Sequence, residues 1–226
     1  MEVSANSSPR WFSYLKCKLF WAVFICALVH VSGAIGMAFF DRDAFLALTS
    51  VNLLLMFGLL LWTEERITSS LIYSLVIIFV TGVVTEIIGV NTAILFGSYN
   101  YGDFFGVKVF DVPLLIGVNW FCIVYCCFIL VSKILRKIRH AFIFVPLFTA
   151  LLTTGFDWIM EPAAVALNFW RWEGDSIPFL NYASWFIITF ILTRIIMLFD
   201  PSLSNRFPIY LLAIQAAFFI FIRIAG

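Results

Sequence analysis

Histidine is nearly missing from this 226-residue chain: His30 and His140 are its two copies. Membrane di-iron hydroxylases and desaturases hold their metals with many histidines, and a haem clamped by two needs both inside the bilayer. His140 lies in a basic loop, and His30 reads as a helix-contact residue. There is no Gly-x-Gly-x-x-Gly fingerprint and no P-loop, so nucleotide and flavin chemistry lack support. Charged residues make up 12% of the chain and the net charge is +1, which leaves no nucleic-acid footprint. Residues 207–226 contain no lysine, only Arg223 with Arg206 just before, so the Schiff-base anchor of a retinal protein is absent. The five cysteines (Cys17, Cys26, Cys122, Cys126 and Cys127) are an odd set within or beside apolar runs, and free thiols are expected. Cys122 and Cys126 share a helical face, but no histidine is near them in sequence, so no metal site is expected. No repeat and no linker divides the chain.

What is present is apolar. Hydrophobic residues are 63% of the sequence, and the mean hydropathy is +1.05. Such a composition predicts an all-α polytopic membrane protein, because only helices or closed barrels satisfy backbone groups in lipid. The apolar runs are too long for the alternating strands of a barrel. Seven spans are expected, near residues 19–40, 44–62, 68–90, 112–132, 141–162, 181–199 and 207–224, each close to the ~20 residues that cross a bilayer. Residues 1–18 read as a polar, basic lead-in with a short interfacial helix around Trp11 and Phe12, and 19–226 as one transmembrane domain. Lysine and arginine concentrate in that lead-in and in the Lys133–Arg139 loop, while the alternate loops carry one each. The positive-inside bias therefore places the N-terminus in the cytoplasm of a cell whose plasma membrane holds the chain.

Charge inside a span needs a reason, since an ionised carboxylate costs several kcal/mol to bury in hydrocarbon. The stretch Thr153-Thr154-Gly155-Phe156-Asp157-Trp158-Ile159-Met160-Glu161-Pro162 carries two acids four residues apart, on one helical face about one turn from each other. Two carboxyls that close in a low dielectric repel as anions, which favours one keeping its proton and serving as a donor. Pro162 is expected to kink or end the helix at Glu161. The competing reading is structural: a helix-end acid that only accepts hydrogen bonds from Trp and Tyr. With seven alternating spans, Glu86, Asp111, Asp157 and Glu161 gather at one membrane face with Asn119, Trp120, Asn181, Tyr182 and Trp185. The loops there are rich in Gly, Tyr and Trp (residues 96–102 and 168–172). An interfacial aromatic belt explains the aromatics but not the acids. Arg194, inside the sixth span, is expected to snorkel or to pair with Glu64 or Glu65.

Several dispersed motifs in this order resemble the membrane-embedded carotenoid biosynthesis proteins that include bisanhydrobacterioruberin-type and γ-carotene-type hydratases. The carrying residues are Glu86-Ile87-Ile88-Gly89-Val90, Phe96-Gly97-Ser98-Tyr99-Asn100-Tyr101, Val112-Pro113-Leu114 with Asn119-Trp120, and Asp157 through Glu161-Pro162. Trp170-Arg171-Trp172, Ile177-Pro178 and Asn181-Tyr182-Ala183-Ser184-Trp185 complete the set, and the likeness covers roughly residues 68–200. Where the family pattern has Asp-Pro this chain has Glu161-Pro162, which keeps the acid and lengthens its reach.

The resemblance implies addition of water to the 1,2 (or 1′,2′) double bond of a linear carotenoid ψ-end group, with no cofactor. Its partners would be the carotenoid and membrane lipid; contact with neighbouring pathway enzymes is left open. Alkene hydration begins with proton transfer to the less substituted carbon, and water then captures the tertiary cation. On that chemistry Asp157 is the expected donor, with Glu161, Glu86 and Asp111 holding the proton or positioning water. Tyr99, Tyr101, Trp120, Trp158, Trp172 and Trp185 are candidates to line the substrate site and face the cation, and Asn119 and Asn181 to hold water. A carotenoid cyclase shares the first step and loses a proton instead. A transporter or proton relay would use the same acids without chemistry.

Overall fold

The computed structural model describes residues 17–174 and 176–225; the expected interfacial helix around Trp11 and Phe12 lies outside them. Eight helices occur among the described residues: α1 Lys18–Phe39, α2 Arg42–Leu46, α3 Thr49–Trp62, α4 Ser69–Thr92, α5 Leu115–Leu135, α6 Ala141–Ala166, α7 Phe179–Met197 and α8 Phe207–Ala225. Since α2 and α3 together form one span, seven segments are long and apolar enough to cross a membrane. The expected boundaries hold to within a few residues. The protein is an all-α membrane protein.

Helix α5 is the axis. In its most apolar stretch 83% of residues are buried, against 22–39% in the other spans, and it packs on α3, α4, α6, α7 and α8. The outer helices instead turn apolar side chains outward: Phe20, Phe24, Leu28, Val31 and Ile35 form an exposed stripe along α1, at the three-to-four-residue spacing of one helical face. In a bilayer that stripe meets lipid tails.

Local chemistry sets several ends. Thr68 caps α4 by accepting a hydrogen bond from the Leu71 N–H at 3.2 Å, and Asp41 does the same for α2 from Ala44 at 3.1 Å. The Arg42 guanidinium donates to the Ala166 carbonyl at the C-terminus of α6, where the helix dipole is negative. Pro162 does not end α6. The helix continues to Ala166 with both Pro146 and Pro162 inside it. A proline removes one donor, and packing against neighbouring helices holds the rest of the turn. The true stop is Asn168, in the left-handed region at φ 57°, which asparagine tolerates.

Among the described residues four short strands lie between the helices: β1 Tyr99–Tyr101, β2 Lys108–Val109, β3 Val112–Pro113 and β4 Trp170–Trp172. β1 pairs antiparallel with β4, and Tyr99 faces Trp172 while Tyr101 faces Trp170. β2 and β3 form a hairpin with Phe110 and Asp111 as the central residues, at φ 49° and 64°. Positive φ at both positions is the type I′ turn.

All five cysteines are free thiols. His30 hydrogen-bonds the Cys26 carbonyl at 2.8 Å and meets the Phe218 ring edge-on at 5.6 Å, a helix contact as expected. Arg194 makes no ion pair with Glu64 or Glu65. It donates to the Phe142 carbonyl and lies 5.4 Å over that ring, while Glu64 accepts from Tyr125 at 2.9 Å and Asn205 at 2.8 Å.

Candidate active site

Three acids converge inside the bundle. Glu86 comes from the last turns of α4, and Asp157 and Glu161 from successive turns of α6. Each is at most 5% exposed, so each must find its partners within the protein. Around them stand Trp120 from α5 and Asn181 and Trp185 from successive turns of α7, with the β1–β4 ribbon across the end.

That ribbon is built by period-two alternation. Tyr99, Tyr101, Trp170 and Trp172 fall on one face, and Asn100 and Arg171 are exposed on the other. The four inward side chains divide between two acids. Glu86 accepts from the Tyr99 hydroxyl and, at 2.8 Å, from the Tyr101 hydroxyl; its other oxygen accepts from Trp120 Nε1 at 2.8 Å. Glu161 Oε2 accepts from Trp170 Nε1 and Trp172 Nε1, each at 2.9 Å. Burial and the Glu86 carboxyl push the Tyr99 and Tyr101 phenols up, so both keep their protons and remain donors.

Asp157 differs. Its Oδ2 accepts from Asn181 Nδ2 at 2.7 Å, and that amide also reaches Glu161 Oε1 at 3.5 Å. Its Oδ1 is buried with no hydrogen-bond partner among the described residues. Glu86 is held by three donors. Asp157, with one oxygen unpartnered among the described residues, has the surroundings of a neutral acid.

Aromatic surface completes the site. Trp120 and Trp185 stack at 3.8 Å, with planes 5° apart. Close helix approach makes room for them: a Cβ on Gly82 would lie 2.6–2.9 Å from Trp120. On Gly89 it would lie 2.5 Å from Phe96 and 3.0 Å from the Tyr99 hydroxyl. The acids and rings enclose a cavity of about 20 Å³, enough for about one water. Asn119, Met160 and Trp170 form its wall on one side and also line a second cavity of about 360 Å³.

Of the expected site residues, Glu86, Tyr99, Tyr101, Asn119, Trp120, Asp157, Glu161, Trp172, Asn181 and Trp185 all line the small cavity. Two do not reach it. Asp111 is exposed in the β2–β3 turn, where its left-handed backbone serves the hairpin. Trp158, beside Asp157 in sequence, points about 100° away on the helix. It is 56% exposed and 5.8 Å under the Arg223 guanidinium. Trp170 was not among the expected site residues, yet it donates to Glu161. The Trp-x-Trp spacing could have found it, since residues two apart on a strand share a face.

The family described as "Carotenoid biosynthesis protein" matches residues 44–225. A bisanhydrobacterioruberin hydratase from Haloarcula japonica is 34% identical over 107 residues, which covers 45% of this chain and 36% of that protein. No solved structure matches. With most of its length matched, acid-bearing spans included, the chain belongs to the carotenoid biosynthesis protein family.

Proposed function

We propose that this protein is a cofactor-independent carotenoid 1,2-hydratase of the plasma membrane, a lyase acting on the ψ-end group of a linear carotenoid. The observation that carries the reading is Asp157 Oδ1, buried and unpartnered among the described residues, on a residue that lines a cavity the size of one water.

Asp157 gives its proton to the less substituted carbon of the terminal double bond. The alkene π electrons form the new C–H bond, and a tertiary cation is left on the neighbouring carbon. Glu86 and Glu161, oriented by the Tyr and Trp donors, offer carboxyl oxygens to the cation. The Trp120–Trp185 stack adds ring-face density, worth about 0.5–2 kcal/mol for a cation within ~6 Å of a ring face. Water held by Asn119 and Asn181 attacks the cation, and its surplus proton returns to the Asp157 carboxylate. The net change is one water added, with the acid regenerated. The name of the Haloarcula relative supports the same outcome.

A cyclase would share the first step. The water-sized cavity among amide and carboxyl groups favours capture over ring closure. The test is mass spectrometry of carotenoids from a lycopene-producing bacterium that expresses this chain. A product heavier by one water is expected. An isomer of unchanged mass would overturn hydration in favour of cyclisation.

A further inference from the structure

A cavity of about 20 Å³ holds water but not an alkene end group. The substrate must therefore approach from elsewhere, and the larger cavity adjoins. Its volume of about 360 Å³ is within the roughly 300–1,000 Å³ of small-molecule sites. Its walls come from α1, α3 and α8, and they are mostly apolar. Leu28, 53% exposed, and Leu48, 55% exposed, also line it. Both belong to the lipid-facing surface, Leu48 at the break between α2 and α3, so the cavity opens sideways into the bilayer. At its inner end Asn119, Met160 and Trp170 are shared with the acid pocket. Met160 sits between Asp157 and Glu161 on α6 and is 4% exposed. Methionine is unbranched and repacks readily.

We propose that the larger cavity receives one end of a linear polyene directly from the bilayer, through the opening at Leu28 and Leu48, and that Met160 is the threshold across which its terminal double bond reaches Asp157. The inference rests on the hydratase reading for the reaction, but not for the binding. The cavity is too small for a whole carotenoid, so the rest of the chain stays in lipid and each end is treated in a separate visit.

Gly33 offers the test. It lines the cavity, and a Cβ there would meet nothing nearer than Phe218 at 3.8 Å. Wild type, Gly33→Leu and Asp157→Asn are purified from lycopene-producing cells. Bound carotenoid per protein is read by absorbance, and product by mass. Gly33→Leu is expected to lower bound carotenoid and product together by about tenfold, the scale of overpacking a filled site. Asp157→Asn is expected to bind as wild type does and to give no hydrated product. If Gly33→Leu elutes as folded protein with undiminished carotenoid, the chain lies elsewhere and the proposal fails. Should leucine prevent folding, Gly33→Cys is labelled with a maleimide in membranes. Protection by added lycopene supports the site, and labelling indifferent to lycopene overturns it. Binding that depends on Gly33 without any hydrated product from wild type would leave the cavity standing and remove the hydratase reading.

Discussion

Asp157→Asn separates the proton from everything else the residue does. The change preserves side-chain volume, and the amide oxygen can still accept from Asn181 at the 2.7 Å position. The other end replaces Oδ1, which has no partner to lose among the described residues. With the Asn181 hydrogen bond retained, folding stability should change by less than ~1 kcal/mol. What disappears is the acidic proton, because an amide N–H does not protonate an alkene. General acid catalysis contributes about 10²–10⁴-fold, or roughly 3–5.5 kcal/mol of barrier at 1.36 kcal/mol per tenfold. The assay is hydrated carotenoid per unit of membrane protein, by mass spectrometry and immunoblot of the same cells. The expected result is product at or below about one per cent of wild type at equal protein level. Full turnover in the variant would refute the assignment and shift the donor role to Glu161, to be tested by Glu161→Gln.

Trp172→Phe removes the 2.9 Å donor to Glu161 Oε2 and keeps an aromatic side chain. Leaving a buried acceptor short of a donor costs about 1–3 kcal/mol, so turnover should fall roughly 5- to 150-fold, measured as initial rate in membranes; a rate within twofold of wild type would contradict a role for that hydrogen bond in the reaction. Gly82→Ala forces a methyl against Trp120. Overpacking of about 1–3 kcal/mol should lower the thermal midpoint in detergent and displace the Trp120–Trp185 pair, read as a change in tryptophan fluorescence. Tyr125→Phe breaks the bond to Glu64 far from the acid cluster. It should cost stability, about 1–3 kcal/mol for a buried carboxyl losing a donor, and leave carotenoid turnover per folded protein unchanged.

Much of the site was legible because membrane burial makes polar residues conspicuous. Glu86, Asp157 and Glu161 stand out against apolar spans, and counting spans brings their ends together before any contact is known. Two expectations failed for local reasons. Asp111 is near the site in sequence, but the β2–β3 turn takes it for its positive φ. Trp158 neighbours Asp157, yet the helical step carries it to the lipid face. Trp170 shares the inward face with Trp172 only once β4 pairs with β1, a tertiary contact.

Composition and span length alone determined that this is a seven-span helical membrane protein with acids clustered at one end. Hydrocarbon tolerates no unpaired backbone, so long apolar runs have one solution. The pairing of each acid with its donors depended on tertiary structure. The β1–β4 register assigns two tyrosines to Glu86 and two tryptophans to Glu161. Asp157 is left with an open oxygen. Such pairings join residues far apart in the chain, and only the packing of α4, α5, α6 and α7 sets their distances.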